Sequence, residues 1–194
     1  MKVDPYLVGV LRGDGWTYDR GRGSYVTCID QAEQNKLIII DEVIPRFRRM
    51  GLWTKPYRYF AKHDGIFKWR SLVYSKALHE ELKRIFADIV AYIKSLSAKD
   101  FLLFIAGFFD AEGTMNYKKS KKLVIYNQNR AWLVAMQDRL NEMGIEPTYI
   151  YRYNVVYGLT IIRKLCIRRF LREVPARKFR TSRYVPIRKW ALSE

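Results

Sequence analysis

Across 194 residues the chain carries 36 Lys and Arg against 19 Asp and Glu, a formal charge of +17 with a pI near 9.9. A field of that size calls for a polyanionic partner, nucleic acid first and an anionic membrane surface second, while a hydrophobic fraction of 49% supports a substantial core in one large domain or two small ones. Cys28 and Cys166 give neither a disulfide framework nor zinc spacing, no apolar run reaches a membrane span, and the N-terminus lacks a signal peptide's order, so an intracellular, reducing location without secretion is expected.

The first predicted element is a helix from Pro5, a good first-turn residue, to Asp14. Two short strands follow, Trp16–Asp19 and Ser24–Asp30, joined by Arg20-Gly-Arg-Gly23. Alternation over Tyr25–Asp30 sets Val26 and Cys28 toward a core and Tyr25 and Thr27 outward. A helical segment from about Ala32 to Met50 is closed by Gly51 and is kinked or restarted at Pro45. Thr54–Lys62, the turn His63-Asp-Gly65 and Ile66–Tyr74 make a hairpin. One long amphipathic helix runs from about Ser75 toward Leu96, with Leu78, Leu82, Ile85, Ile89 and Ile93 at helical spacing.

The order then recurs. A second apolar helix opens near Asp100, strands Thr114–Lys118 and Lys122–Asn127 flank a lysine turn, and a helix from about Arg130 ends at Met143-Gly144. A hairpin of Thr148–Tyr153 and Val156–Ile162 and a helix from Arg163 to about Val174 complete it. The reading is an α+β chain of two αββαββα halves, 1–97 and 98–174, followed by a basic extension, 175–194. Neither His63 nor His79 forms a nucleophile–base set.

The two apolar helices share a pattern. Tyr6-Leu-Val-Gly-Val-Leu-Arg-Gly-Asp-Gly15 and Phe104-Ile-Ala-Gly-Phe-Phe-Asp-Ala-Glu-Gly113 each carry small residues four apart and end in an acid followed by glycine. Residues four apart share a helix face, and small ones allow two backbones to approach closely. Packed side by side in one direction, the helices bring Asp14 and Glu112 together at their C-terminal ends. There the last carbonyls lack intrahelical partners and the dipole is negative. Gly15 and Gly113 suit the left-handed closing position. Two carboxylates with carbonyls from Gly13 and Ala111 make an all-oxygen site for Mg²⁺ or Ca²⁺, and carboxylates held so close repel without a cation between them.

The hairpins interleave aromatic and basic residues at strand spacing, in Tyr57-Arg58-Tyr59, in Lys68-Trp69-Arg70 and in Tyr149-Ile-Tyr-Arg-Tyr153 with Tyr157. One sheet face is then apolar against helices and the other cationic and aromatic, a surface able to lie along a nucleic-acid duplex.

The two motifs, their spacing and the repeated halves resemble the single-chain, two-motif form of the LAGLIDADG homing endonucleases, over essentially the whole chain. The resemblance implies two pseudo-symmetric αββαββα halves, motif helices packed at the centre and antiparallel sheets forming a DNA-binding saddle. It implies a monomeric enzyme making a staggered double-strand cut, with Mg²⁺ at Asp14 and Glu112, Mn²⁺ substituting and Ca²⁺ binding without cleavage. Gln31 and Asn127 stand at matching places to position water. A lysine is expected shortly after the second acid, but this chain has Met115 there, so Lys118 or Lys119 is the candidate cation.

Base and phosphate contacts are expected from Tyr18, Arg20, Arg22, Tyr25 and Thr27 in the first strands and from Tyr57, Arg58, Tyr59, Lys68 and Arg70 in the first hairpin. The second half adds Asn116, Lys118, Lys119 and Lys121, with Tyr151, Arg152 and Tyr153. Arg180 and Arg183 in the extension are expected to clamp phosphates. A maturase acting on intron RNA and a catalytically silent DNA-binding protein of the same fold remain alternatives at this stage.

Overall fold

The structure is a computed structural model that describes residues 1–116, 121–147, 149–181 and 185–192. Helix α1 spans Pro5–Asp14, its first turn capped by the Asp4 carboxylate accepting from the Tyr6 amide, with Pro5 at the start. Strands β1 (Gly15–Asp19) and β2 (Tyr25–Ala32) follow. A π-helical turn over Ile38–Val43 runs directly into α2 (Ile44–Arg49), with Leu37, Val43 and Ile44 all in the helical region. The segment therefore does not restart at Pro45; the wider turn before it accommodates the missing N–H. Strands β3 (Pro56–Ala61) and β4 (Ile66–Tyr74) close the sheet.

The single long helix expected after Ser75 is two helices, α3 (Lys76–Ala87) and α4 (Ile89–Ser95). Asp88 breaks it: its backbone leaves the helical region and its carboxylate accepts from the Ala91 amide, so the side chain starts a helix where the apolar spacing implied continuation. The second half repeats the first with α5 (Ala98–Glu112), β5 (Gly113–Asn116), β6 (Lys122–Asn127), α6 (Arg130–Glu142), β7 (Tyr149–Tyr153), β8 (Val156–Ile161) and α7 (Lys164–Glu173). The two antiparallel four-stranded sheets have matching orders, β1-β2-β4-β3 and β5-β6-β8-β7. The basic extension is built into the body through a 3-10 turn, Arg177–Arg180, and a last helix, α8 (Val185–Leu192). No helix among the described residues is long and apolar enough to cross a membrane.

Helices α1 and α5 lie at the centre of one continuous core and run the same way. A Cβ added to Gly9 would stand 2.1 Å from the Phe104 carbonyl oxygen, and one added to Gly107 would stand 2.0 Å from that of Tyr6. The two glycines therefore let backbone touch backbone. Gly15 and Gly113 depart from expectation, since both are extended and neither is left-handed. Crowding explains them: a Cβ at Gly15 would meet Leu11 at 2.6 Å and one at Gly113 would meet the Phe109 ring at 2.4 Å, because each strand leaves its helix with no linker.

Register settles which face each strand residue occupies. Ile29, Val73, Met115, Leu123, Ile125, Leu159 and Ile161 belong to the core beneath the sheets. With Thr27 opposite Val73 and Cys28 opposite Leu72, Val26 and Cys28 take the outer face and Thr27 the helix face, the reverse of the expected alternation. The run Val26–Ile29 is buried at every position, so its hydrophobicity could not distinguish the faces.

Candidate active site

The C-terminal ends of α1 and α5 meet with their acids side by side. A Cβ at Gly13 would lie 2.4 Å from the Ala111 Cβ and 2.9 Å from Glu112 Cγ, which puts the Gly13–Asp14 backbone directly against the Glu112 side chain. Burial pushes the Asp14 carboxyl up, partly offset by a hydrogen bond from Gln31 and by the charges of Lys178 and Lys68. Glu112 is also pushed up, first by burial and then by the Asp14 charge, with Lys178 opposing. Each acid is half-buried, and the Asp14 charge adds to the cost of ionising Glu112, a situation a cation relieves.

Gln31 Nε2 donates to Asp14 Oδ2 at 2.7 Å, fixing the first carboxylate from the helix face of β2. Asn127 holds the equivalent place on β6 and borders a cleft of about 810 Å³ with Glu112. Its side-chain oxygen accepts from the Asn129 amide at 2.8 Å. The same cleft is lined by Arg12, Gln128, Arg130 and Trp132. Arg12 stacks on Trp132 at 4.0 Å and on Phe86 at 5.1 Å, and its Nε, buried, has no hydrogen-bond partner among the described residues. Arg12 was legible as a basic residue two places before Asp14, a signal that charge counting alone passes over.

Two further residues complete the site, one inside the second motif and one in the C-terminal extension. Asp110 is wholly buried, accepting from Tyr6 Oη at 2.6 Å and from the Arg177 and Lys178 amides at 2.7 and 2.8 Å, and burial raises its carboxyl to about 6. An acid inside the apolar run Phe104–Ala111 was the available clue. Asp110 ties the extension to both central helices and so delivers Lys178, whose Nζ donates to the carbonyls of Gly113 at 2.9 Å, Ala111 at 3.2 Å and Phe109 at 3.4 Å. Nothing local in the sequence separates Lys178 from the basic residues around it. The Ala111 carbonyl, expected as a metal ligand, thus already has an ammonium partner. Met115, where a lysine is expected, packs into the core.

Among the described residues no group of three or more His, Cys, Asp or Glu gathers. A pair of carboxylates at two helix ends, with backbone carbonyls nearby, is still an oxygen donor set fitting a hard divalent cation. The set fits magnesium, with the qualification that Lys178 shares it.

The expected nucleic-acid contacts divide. Tyr18, Tyr57, Tyr59, Lys68, Asn116, Tyr151 and Tyr153 take the outer faces by register. Tyr25 and Thr27 do not: Tyr25 packs on His79 of α3 at 5.0 Å, and Thr27 is buried in hydrogen bond with Thr17 at 3.0 Å. Arg58 lies on the opposite face, donating to Glu33 at 2.8 Å and stacking on Phe67, because it pairs with Trp69 and not with an outer residue. Arg152 shares the face of Ile150 and Tyr157 and donates to the Asn154 carbonyl. Arg70 is on the outer face, with its fork already bound to both oxygens of Asp30 at 2.6 Å. Lys121 stacks on Trp190 at 4.8 Å, and Arg20, Arg22 and Arg180 are exposed at turns. Lys118, Lys119 and Arg183 lie outside the described residues.

Comparison with known proteins agrees with this geometry. A family model described as a LAGLIDADG-like domain matches residues 101–175. Homing endonuclease I-DmoI of Desulfurococcus mucosus is 30% identical over 152 residues, covering 75% of this chain and 73% of that protein. The crystal structure of I-DmoI in complex with DNA and Mn superposes with a TM-score of 0.66 at 24% identity, over 88% of this chain and 94% of that one. Full-length DUF199/WhiA from Thermatoga maritima shares the fold at a TM-score of 0.66 and 14% identity, over 98% of this chain and 60% of that one.

Proposed function

The chain belongs to the LAGLIDADG family of homing endonucleases, and on that premise we propose that it hydrolyses one phosphodiester bond in each strand of a specific, long DNA target with magnesium held between Asp14 and Glu112. The observation that carries the reading is the meeting of one acid from each half at the joined ends of α1 and α5. I-DmoI has been crystallised with DNA and Mn or Ca, and a point variant of it with its target DNA in the presence of Mg; the oxygen donor set here suits hard divalent ions of this kind.

Asp14, Glu112 and the Gly13 carbonyl would hold the ion, which when bound supplies charge stabilisation at the scissile phosphate and a more acidic water. Gln31 keeps the Asp14 carboxylate aimed by donating to the oxygen that the ion would not use. Asn127 and Arg12 border the cleft beside Glu112, where Arg12 offers a desolvated cation to the phosphate of the strand lying there. Outer-face tyrosines and lysines, with the exposed arginines of the turns, follow the duplex backbone and read base edges. One chain supplies both acids, so the monomer is sufficient. Mn²⁺ substitutes for Mg²⁺, and Ca²⁺ permits binding without cleavage.

The test is incubation of the full chain with a duplex library containing intron-insertion sequences, in Mg²⁺ and separately in Ca²⁺. Double-strand cleavage in Mg²⁺ alone, lost in Asp14→Asn and in Glu112→Gln, is expected. Binding to intron RNA with no DNA cleaved under any metal would replace this reading with RNA maturation.

A further inference from the structure

Lys178 is buried, yet it does not reach its position by chance folding of a tail. Its backbone amide and that of Arg177 are both held by Asp110, whose other donor is Tyr6 of α1. The next residue, Phe179, is locked between Phe109 and Phe170 at ring separations of 5.0 and 5.9 Å. The ammonium is therefore aimed, with little latitude, at the last carbonyls of α5, at 2.9 Å from Gly113 and 3.2 Å from Ala111. Those carbonyls flank Glu112 in sequence, and a positive charge there acts on both acids of the junction. Burying an ammonium is costly unless it is hydrogen-bonded and compensated. Here the helix dipole and two carboxylates provide the compensation.

Resting on the metal-binding reading above, we propose that the Lys178 ammonium is a resident cation of the acid junction: it holds the Ala111 carbonyl, takes over the charge absent at Met115, and opposes the divalent ion through its charge beside the two carboxylates. Lys178 acts on the ion through the carboxylates and the Ala111 carbonyl, so it is a positioning residue. Removing its charge while keeping a donor leaves more negative potential for the ion. A lysine whose charge was screened from the acid pair would have no such effect.

The experiment is Ca²⁺ titration of the full chain by calorimetry, with Lys178→Gln, which keeps donors and loses charge, and Lys178→Arg, which keeps charge. Lys178→Gln should bind Ca²⁺ roughly tenfold more tightly, the order expected from removing a unit charge near a divalent ion at a partly buried site, and Lys178→Arg should match the wild type. In EDTA the Gln variant should melt at lower temperature, and Ca²⁺ should recover more of its melting point than it does for the wild type. A folded Gln variant with wild-type or weaker Ca²⁺ affinity overturns the proposal. A measurement on the unaltered chain guards against a variant that fails to fold: the Lys178 side-chain nitrogen resonance should shift as Ca²⁺ is added, and its indifference would also overturn the proposal. Wild-type protein that binds no Ca²⁺, or binds it equally after Asp14→Asn, would instead refute the metal site itself.

Discussion

Gly107→Ala is the sharpest structural perturbation available, because its methyl group has nowhere to go. The new carbon would sit 2.0 Å from the Tyr6 carbonyl oxygen and 3.0 Å from the Val10 nitrogen, both backbone atoms of a helix. An ordinary carbon–oxygen contact is about 3.3 Å, so α1 and α5 must part by about an ångström along their seam. Alanine returns up to about 1 kcal/mol of helix propensity. Overpacking typically costs 1–3 kcal/mol, and here the seam must open between rigid backbones, so a net loss of roughly 3 kcal/mol is expected. At about 2–4 °C per kcal/mol for a chain of this size, calorimetry should show melting about 6–12 °C lower. Asp14 and Glu112 ride on the same two helices, and misplacement on that scale costs on the order of 100-fold in rate, read as single-turnover cleavage well below the melting point. A Gly107→Ala protein with unchanged melting and wild-type cleavage would refute the claim that close backbone packing sets the acid pair.

Four other outcomes follow from the site. Burial raises both Asp14 and Glu112 in the folded state, so their contribution to stability is fully present below the ordinary carboxylate range and is lost as pH rises through the raised values; in EDTA, Asp14→Asn with Glu112→Gln should therefore melt higher than wild type at neutral pH, and Mg²⁺ should close the gap. Gln31→Ala removes the 2.7 Å hydrogen bond to Asp14 and should slow cleavage by roughly 10–100-fold, with DNA binding in Ca²⁺ unchanged by gel shift. Asp110→Ala leaves the Tyr6 hydroxyl and two amides buried without their acceptor, at roughly 3 kcal/mol or more in urea unfolding. Arg12→Met keeps an apolar body between Trp132 and Phe86 and removes the charge, so the log–log salt dependence of DNA binding should shallow by about one unit.

Much of the fold could be read from the sequence because its signals are local. Asp4, Pro5 and the crowded Gly15 bound α1 at the residues expected, and Gly51, Gly65 and Gly144 close their elements with positive φ. Local signals also misled where two of them competed. The apolar spacing through Ile85, Ile89 and Ile93 continues across Asp88, but the carboxylate of Asp88 starts a separate helix. The faces of β2 could not be told apart because residues 26–29 are buried on both sides. Arg58 and Arg152 then fell on the helix faces for the same reason that Tyr57, Tyr59, Tyr151 and Tyr153 fell on the outer ones: a strand alternates, and composition does not say where the alternation starts. Lys178 was out of reach for a different reason, since its role exists only once the extension folds back onto two helix ends, where Asp110, visible as an acid in an apolar run, holds the backbone of that extension.

The central claim is that one divalent ion is shared by an acid from each half of the chain. A manganese anomalous difference map of crystals of the full chain with its duplex tests it directly. A peak bonded to oxygens of both Asp14 and Glu112 is predicted. Manganese bound elsewhere, or to one acid with the other turned away, would contradict the account.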